Sequence, residues 1–134
     1  MKISNHRVEE IINFIKGLKL DQKFQKEFTK EKIKNILYIN ESLTHSSANS
    51  EINYENLEFL GDAVLRLIAS DFIKNEYPYM QVGERSELRS HLVSDQWLEE
   101  VGKKIEINSV LVIGNKALRD KSANATIQAE ATEA

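Results

Sequence analysis

Apolar residues return at helical spacing through most of the chain. Val8, Ile11, Ile12, Ile15 and Leu18 fall three or four apart, which predicts an amphipathic helix over residues 5–18 that stops near Gly17. A second helix is expected after Thr29, read as its N-cap, with Ile33, Ile36 and Leu37 buried. Residues 40–53 are polar and turn-forming and read as a connector. A long helix follows over about residues 54–76, with Leu57, Leu60, Val64, Leu67 and Ile68 on one stripe. It ends where Tyr77 precedes Pro78, since the residue before proline avoids helical geometry. A fourth helix is predicted over residues 84–101, burying Leu88, Leu92, Val93, Trp97 and Leu98, with Gly102 as its stop. Residues 107–114 could form a strand, but nothing here would pair with it, so an irregular or short helical connector is expected. Residues 122–134 read as the beginning of a last helix. The expected fold is all-α, one helical bundle over residues 1–134.

Composition narrows the compartment more than the fold. A length of 134 residues, 41% hydrophobic and 29% charged, suits one globular domain. The absence of cysteine removes disulfide scaffolds, thiol nucleophiles and cysteine-based metal sites. Apolar runs such as Ala63-Val64-Leu65 are broken by charge within a few residues, so no membrane span is expected. Lys2, Arg7, Glu9 and Glu10 interrupt the start of the chain where a secretory signal would be apolar. A cytoplasmic, reducing location is therefore expected.

Charge is unevenly spread. Residues 1–40 hold nine basic and five acidic side chains, whereas residues 41–83 hold two basic and seven acidic. A net charge of −3 speaks weakly against nucleic-acid binding, while a cation site built from carboxylates would produce this acidic block. Glu55, Glu58 and Asp62 stand at i, i+3 and i+7 on the long helix, within about 60° of one another. Like charges so spaced repel, so a basic side chain or a hard divalent cation should sit there. The spacing alone is a weak signal, because 21 of 134 residues are acidic and such pairs arise by chance about once in six. Arg66, one turn beyond Asp62, could neutralise it as an ordinary surface pair. Glu130 and Glu133 form a second pair, flanked by alanines and threonines that leave room for another helix. Four carboxylates from two helices can hold one or two Mg²⁺ or Mn²⁺ ions. Such ions bind phosphate oxygens, activate water and stabilise a leaving oxygen, as phosphodiester hydrolysis requires. His45 is read as an anchor of the polar connector rather than a phosphate contact.

The run Asn56-Leu57-Glu58-Phe59-Leu60-Gly61-Asp62-Ala63-Val64-Leu65 resembles the signature of the ribonuclease III family, N-E-R-L-E-F-L-G-D-[AS]-[VI]-L. Leu43-Thr44-His45-Ser46-Ser47 resembles its L-T-H-x-S segment, and Leu88-Arg89-Ser90-His91-Leu92-Val93 its L-R-[AS]-x-L-V helix. Residues 127–134 resemble I-L-A-D-x-x-E-A. The resemblance runs from about Leu18 to the last residue.

It implies a ribonuclease III-like endonuclease domain, a homodimer that cuts double-stranded RNA with Mg²⁺, for which Mn²⁺ can substitute, in RNA processing. Two active sites would each cut one strand, leaving 5′-phosphate ends and a short 3′ overhang. Glu58, Asp62, Glu130 and Glu133 match the metal-binding positions, with Asp62 and Glu133 as catalytic residues. Glu58, Asp62 and Glu133 are then expected to converge on one cation. Glu55 matches the glutamate of N-E-R-L-E-F and Phe59 the aromatic that packs across the family's dimer interface, and both are expected at that interface. Gly61 agrees with a close backbone approach at that point. Three departures stand out. Glu130 replaces aspartate, Gln128 replaces an apolar residue and should weaken packing, and the chain stops one residue after Glu133. The last helix therefore reads as cut short, in a fragment or shortened form without the double-stranded-RNA-binding domain that usually follows. Residues that bind RNA are not indicated. A catalytically inactive RNA-binding or assembly module of the same fold is the alternative reading. A metal-dependent phosphohydrolase of small molecules would want an adjacent His-Asp pair, which the sequence lacks.

Overall fold

Capping side chains decide where several helices begin. The computed structural model describes residues 3–134, so Met1 and Lys2 at the start of the expected span lie outside the described residues. The helices are α1 (Asn5–Gly17), α2 (Gln22–Lys30), α3 (Lys32–Ser42), α4 (Glu55–Glu76), α5 (Val82–Leu92), α6 (Asp95–Lys104), α7 (Asn115–Leu118) and α8 (Lys121–Glu133). A 3₁₀ turn, Ile107–Ser109, follows α6. No strand occurs among the described residues; Thr44 and Val112 form an isolated parallel bridge. The fold is all-α, as expected, and no described helix is long and apolar enough to cross a membrane.

Three sequence expectations of helix placement need correction. Thr29 is not an N-cap: it lies inside α2, where its hydroxyl donates to the Gln25 carbonyl at 3.0 Å. The expected helix is α3, which starts behind Glu31 without a side-chain cap, whereas Asp21 caps α2, its carboxylate accepting from the Phe24 amide at 2.7 Å. In α3, Ile36 is buried but Ile33 is exposed. The single helix expected over residues 84–101 is two helices, because Ser94 caps a new start by accepting from the Trp97 amide at 3.2 Å. Gly102 does not stop α6. A Cβ there would meet the Thr132 hydroxyl at 2.6 Å, so it permits α6 to lie close against α8, and the helix ends before Glu106, whose φ of 57° is left-handed.

Ile11, Ile36, Leu43, Tyr54, Ile107, Val110, Ile127 and Ala131 form one buried cluster, which ties α1 and α3 to the start of α4 and to α8. Gln128 is also buried. Its Nε2 donates to Asn124 at 2.5 Å, while Oε1 meets no hydrogen-bond donor among the described residues. The stripe on α4 behaves differently from the expected core. Leu60, Val64, Leu67 and Ile68 are exposed, and the helix turns Ala69 and Ile73 inward instead.

Candidate active site

Helices α4 and α8 meet at Gly61. A Cβ built there would lie 2.1 Å from the main-chain oxygen of Glu133, so a residue without a side chain is what lets the two backbones come together. The contact places Glu133 beside the turn of α4 that carries Glu58 and Asp62. Gly61→Ala is accordingly expected to push the helices apart and lower stability by about 1–3 kcal/mol, measured as a fall in thermal midpoint. A variant with unchanged midpoint would show that the approach is not tight.

Burial and like charge act together on this cluster. The Glu133 carboxyl is pushed up to about 7, first by burial and then by Asp62, Glu58 and Asp95, with Arg66 opposing. Glu58 is also raised, by burial and then by Glu130, Glu55 and Asp95. The expected stripe and the expected C-terminal pair therefore share one electrostatic neighbourhood. Asp95, in the first turn of α6, belongs to it as well and was not singled out from the sequence; the Ser94-Asp95 capping pair was the available signal.

Two of the carboxylates are engaged by donors. Arg66 Nε donates to Asp62 Oδ1 at 2.8 Å, the i, i+4 pair anticipated from the sequence. Tyr54 donates its hydroxyl to Glu130 Oε2 at 2.5 Å, across 76 positions of sequence, so sequence spacing gave no sign of it. Burial, that hydrogen bond and the nearby carboxylates all push the Tyr54 hydroxyl's own titration upward. Among the described residues, no three acidic or histidine side chains stand close enough to hold an ion as they lie. Glu58, Asp62 and Glu133 are thus brought to one neighbourhood without being closed into a cage. In donor type these three and Glu130 suit Mg²⁺ or Mn²⁺, since all four offer hard carboxylate oxygens.

The remaining candidates lie around this group. Glu55 is exposed in the first turn of α4, and Phe59 is 84% exposed. His45 anchors the connector: its Nδ1 accepts from the Ser47 amide at 3.0 Å, its own amide donates to the Val112 carbonyl at 2.9 Å, and its ring meets Tyr54 edge-on.

Comparison with known proteins bears on the same residues. A family model described as ribonuclease-III-like matches residues 35–134. A ribonuclease 3 of Prochlorococcus marinus is 47% identical over 132 residues, covering 98% of this chain and 53% of that protein. A ribonuclease 3 of Legionella pneumophila is 40% identical over 101 residues, covering 75% of this chain and 45% of the relative. The chain spans about half the length of the curated relatives it matches. Among solved structures, the nuclease domain of a ribonuclease III from Campylobacter jejuni superposes with a TM-score of 0.69 at 26% identity, over 84% of this chain and 78% of that one. That structure is described as flexible in the region involved in its dimer formation.

Proposed function

The chain belongs to the ribonuclease III-like family, and from that footing we propose that it is a metal-dependent endoribonuclease cutting double-stranded RNA as a homodimer. The observation that carries the reading is the seat of Glu133 against Gly61, which brings a carboxylate pair from the end of the sequence to one from its middle. Glu58, Asp62, Glu130 and Glu133 would hold the cation. Once bound, Mg²⁺ or Mn²⁺ supplies Lewis-acid stabilisation of phosphate oxygens and activation of water. The chain's own contribution is positional. Arg66 and Tyr54 fix Asp62 and Glu130, and partial burial of Glu58 and Glu133 strengthens their pull on positive charge. A-form RNA would be recognised through shape and backbone, and cleavage would leave 5′-phosphate ends.

Long double-stranded RNA incubated with the purified chain is expected to be cut with Mg²⁺ and to stay intact with a chelator, the ends being mapped as 5′-phosphates. RNA bound but never cut, with Mg²⁺ or Mn²⁺, would establish the inactive-module alternative instead. Glu130 in place of aspartate, together with the open arrangement of the carboxylates, is what favours that alternative.

A further inference from the structure

Tyr54 does more than start a helix. Its ring is 2% exposed, its amide donates to the Thr44 carbonyl at 3.0 Å and its carbonyl accepts from the Glu58 amide at 2.8 Å. The His45 ring braces it edge-on at 5.6 Å between centroids. His45 is itself pinned through Ser47, whose hydroxyl accepts from the Gly114 amide at 2.9 Å. A buried tyrosine hydroxyl requires a partner, and the one it meets, at 2.5 Å, is Glu130 Oε2. A rigid donor therefore holds a flexible acceptor.

We propose that Tyr54 is the positioning residue for Glu130, holding the longer glutamate side chain in the orientation from which it serves the carboxylate group. The inference rests on the metal-binding reading above. Aspartate at this position would be shorter by one methylene, about 1.5 Å, and would leave the hydroxyl without contact unless α8 moved. The glutamate reaches the hydroxyl but carries an additional torsion, and the hydrogen bond removes that freedom. Residues that orient metal ligands from behind typically change metal affinity roughly 10- to 100-fold when removed.

The test is a cycle of four proteins: parent, Tyr54→Phe, Glu130→Asp and the double variant. Each is titrated with Mn²⁺ by calorimetry, checked for its thermal midpoint in chelator, and assayed for cleavage against Mg²⁺ concentration. Tyr54→Phe is expected to stay folded and to weaken Mn²⁺ binding by about 10-fold. Its loss of cleavage should be recovered at high Mg²⁺, a change in metal requirement rather than in maximal rate. In the Glu130→Asp background the same substitution should change Mn²⁺ affinity by less than about twofold, since the bond is already gone. Equal losses in both backgrounds would mark a general packing effect and overturn the proposal, as would unchanged affinity in Tyr54→Phe. Should Tyr54→Phe unfold, the parent against Glu130→Asp decides, and equal or tighter Mn²⁺ binding by the aspartate variant would overturn the proposal. A parent that binds no Mn²⁺ overturns both this inference and the nuclease reading. If the parent binds Mn²⁺ but never cuts, only the nuclease reading falls, and the affinity cycle still decides the role of Tyr54.

Discussion

Glu133→Gln is expected to abolish cleavage of double-stranded RNA while leaving the fold intact and, without divalent cation, more stable. Glutamine keeps the size and removes the charge. The charge is what the cation would need from this position, and loss of one preorganised electrostatic group in an active site commonly costs about 10²–10³ in rate. RNA binding should persist and should still weaken with salt, because phosphate contacts elsewhere are untouched. A variant that cuts as fast as a competent parent would remove Glu133 from the assigned role.

The stability half of this expectation follows from sign. Glu133 is raised from 4.5 to about 7 in the folded chain, so between those values the folded state binds more protons than the unfolded state. Stability then falls as pH rises through that window and is lowest above it. The site is partly solvated, so screening reduces the effect to on the order of 1 kcal/mol. Thermal midpoints in chelator, taken from pH 5 to about pH 8, should decline for the parent and stay flatter for Glu133→Gln. Equal slopes in the two proteins would place the titration elsewhere. A site that destabilises its own fold until a ligand arrives is the usual trade between stability and activity.

The sequence made the ends of α1 and α4 legible because the stops are chemical: Gly17 near one end, and Tyr77 before Pro78 at the other. The break between α5 and α6 was hidden by an apolar pattern that continues from Leu88 to Leu98, so periodicity outvoted the Ser94 cap. In α2, nine residues carrying Phe24 and Phe28 gave too short a repeat to register. Gly61 and the link from α4 to Glu133 came through the family resemblance, whereas the shared face of Glu55, Glu58 and Asp62 could be read because a helix fixes relative angles. Arg66 could be anticipated for the same reason. Tyr54 could not, because its bond to Glu130 depends on where α8 lands, and local spacing carries no trace of that. The α4 stripe shows the converse limit. Periodicity identifies which residues share a face and is silent on what covers it.

Leu67→Asp is expected to turn a dimer into a monomer and to reduce cleavage with it. Phe59, Leu60, Val64, Leu67, Ile68 and Phe72 are all exposed along α4, an apolar surface that monomeric proteins rarely leave open over this length. Their spacing of three and four residues makes a continuous stripe, suited to the same stripe on a second copy across a two-fold axis. In such an isologous contact every substitution counts twice. Burial of one leucine is worth about 1.5–3 kcal/mol, so loss of the pair gives about 3–6 kcal/mol, or roughly 10²–10⁴-fold in dissociation constant. Facing aspartates add repulsion to that figure. Phe59→Ala should weaken association in the same direction by less, since it truncates an apolar side chain without introducing charge. Sedimentation at tens of micromolar reads the outcome: a dimeric parent, a monomeric Leu67→Asp and an intermediate Phe59→Ala. A monomeric parent, or a Leu67→Asp variant that stays dimeric, would mean that the α4 stripe is covered by something other than a second copy of this chain.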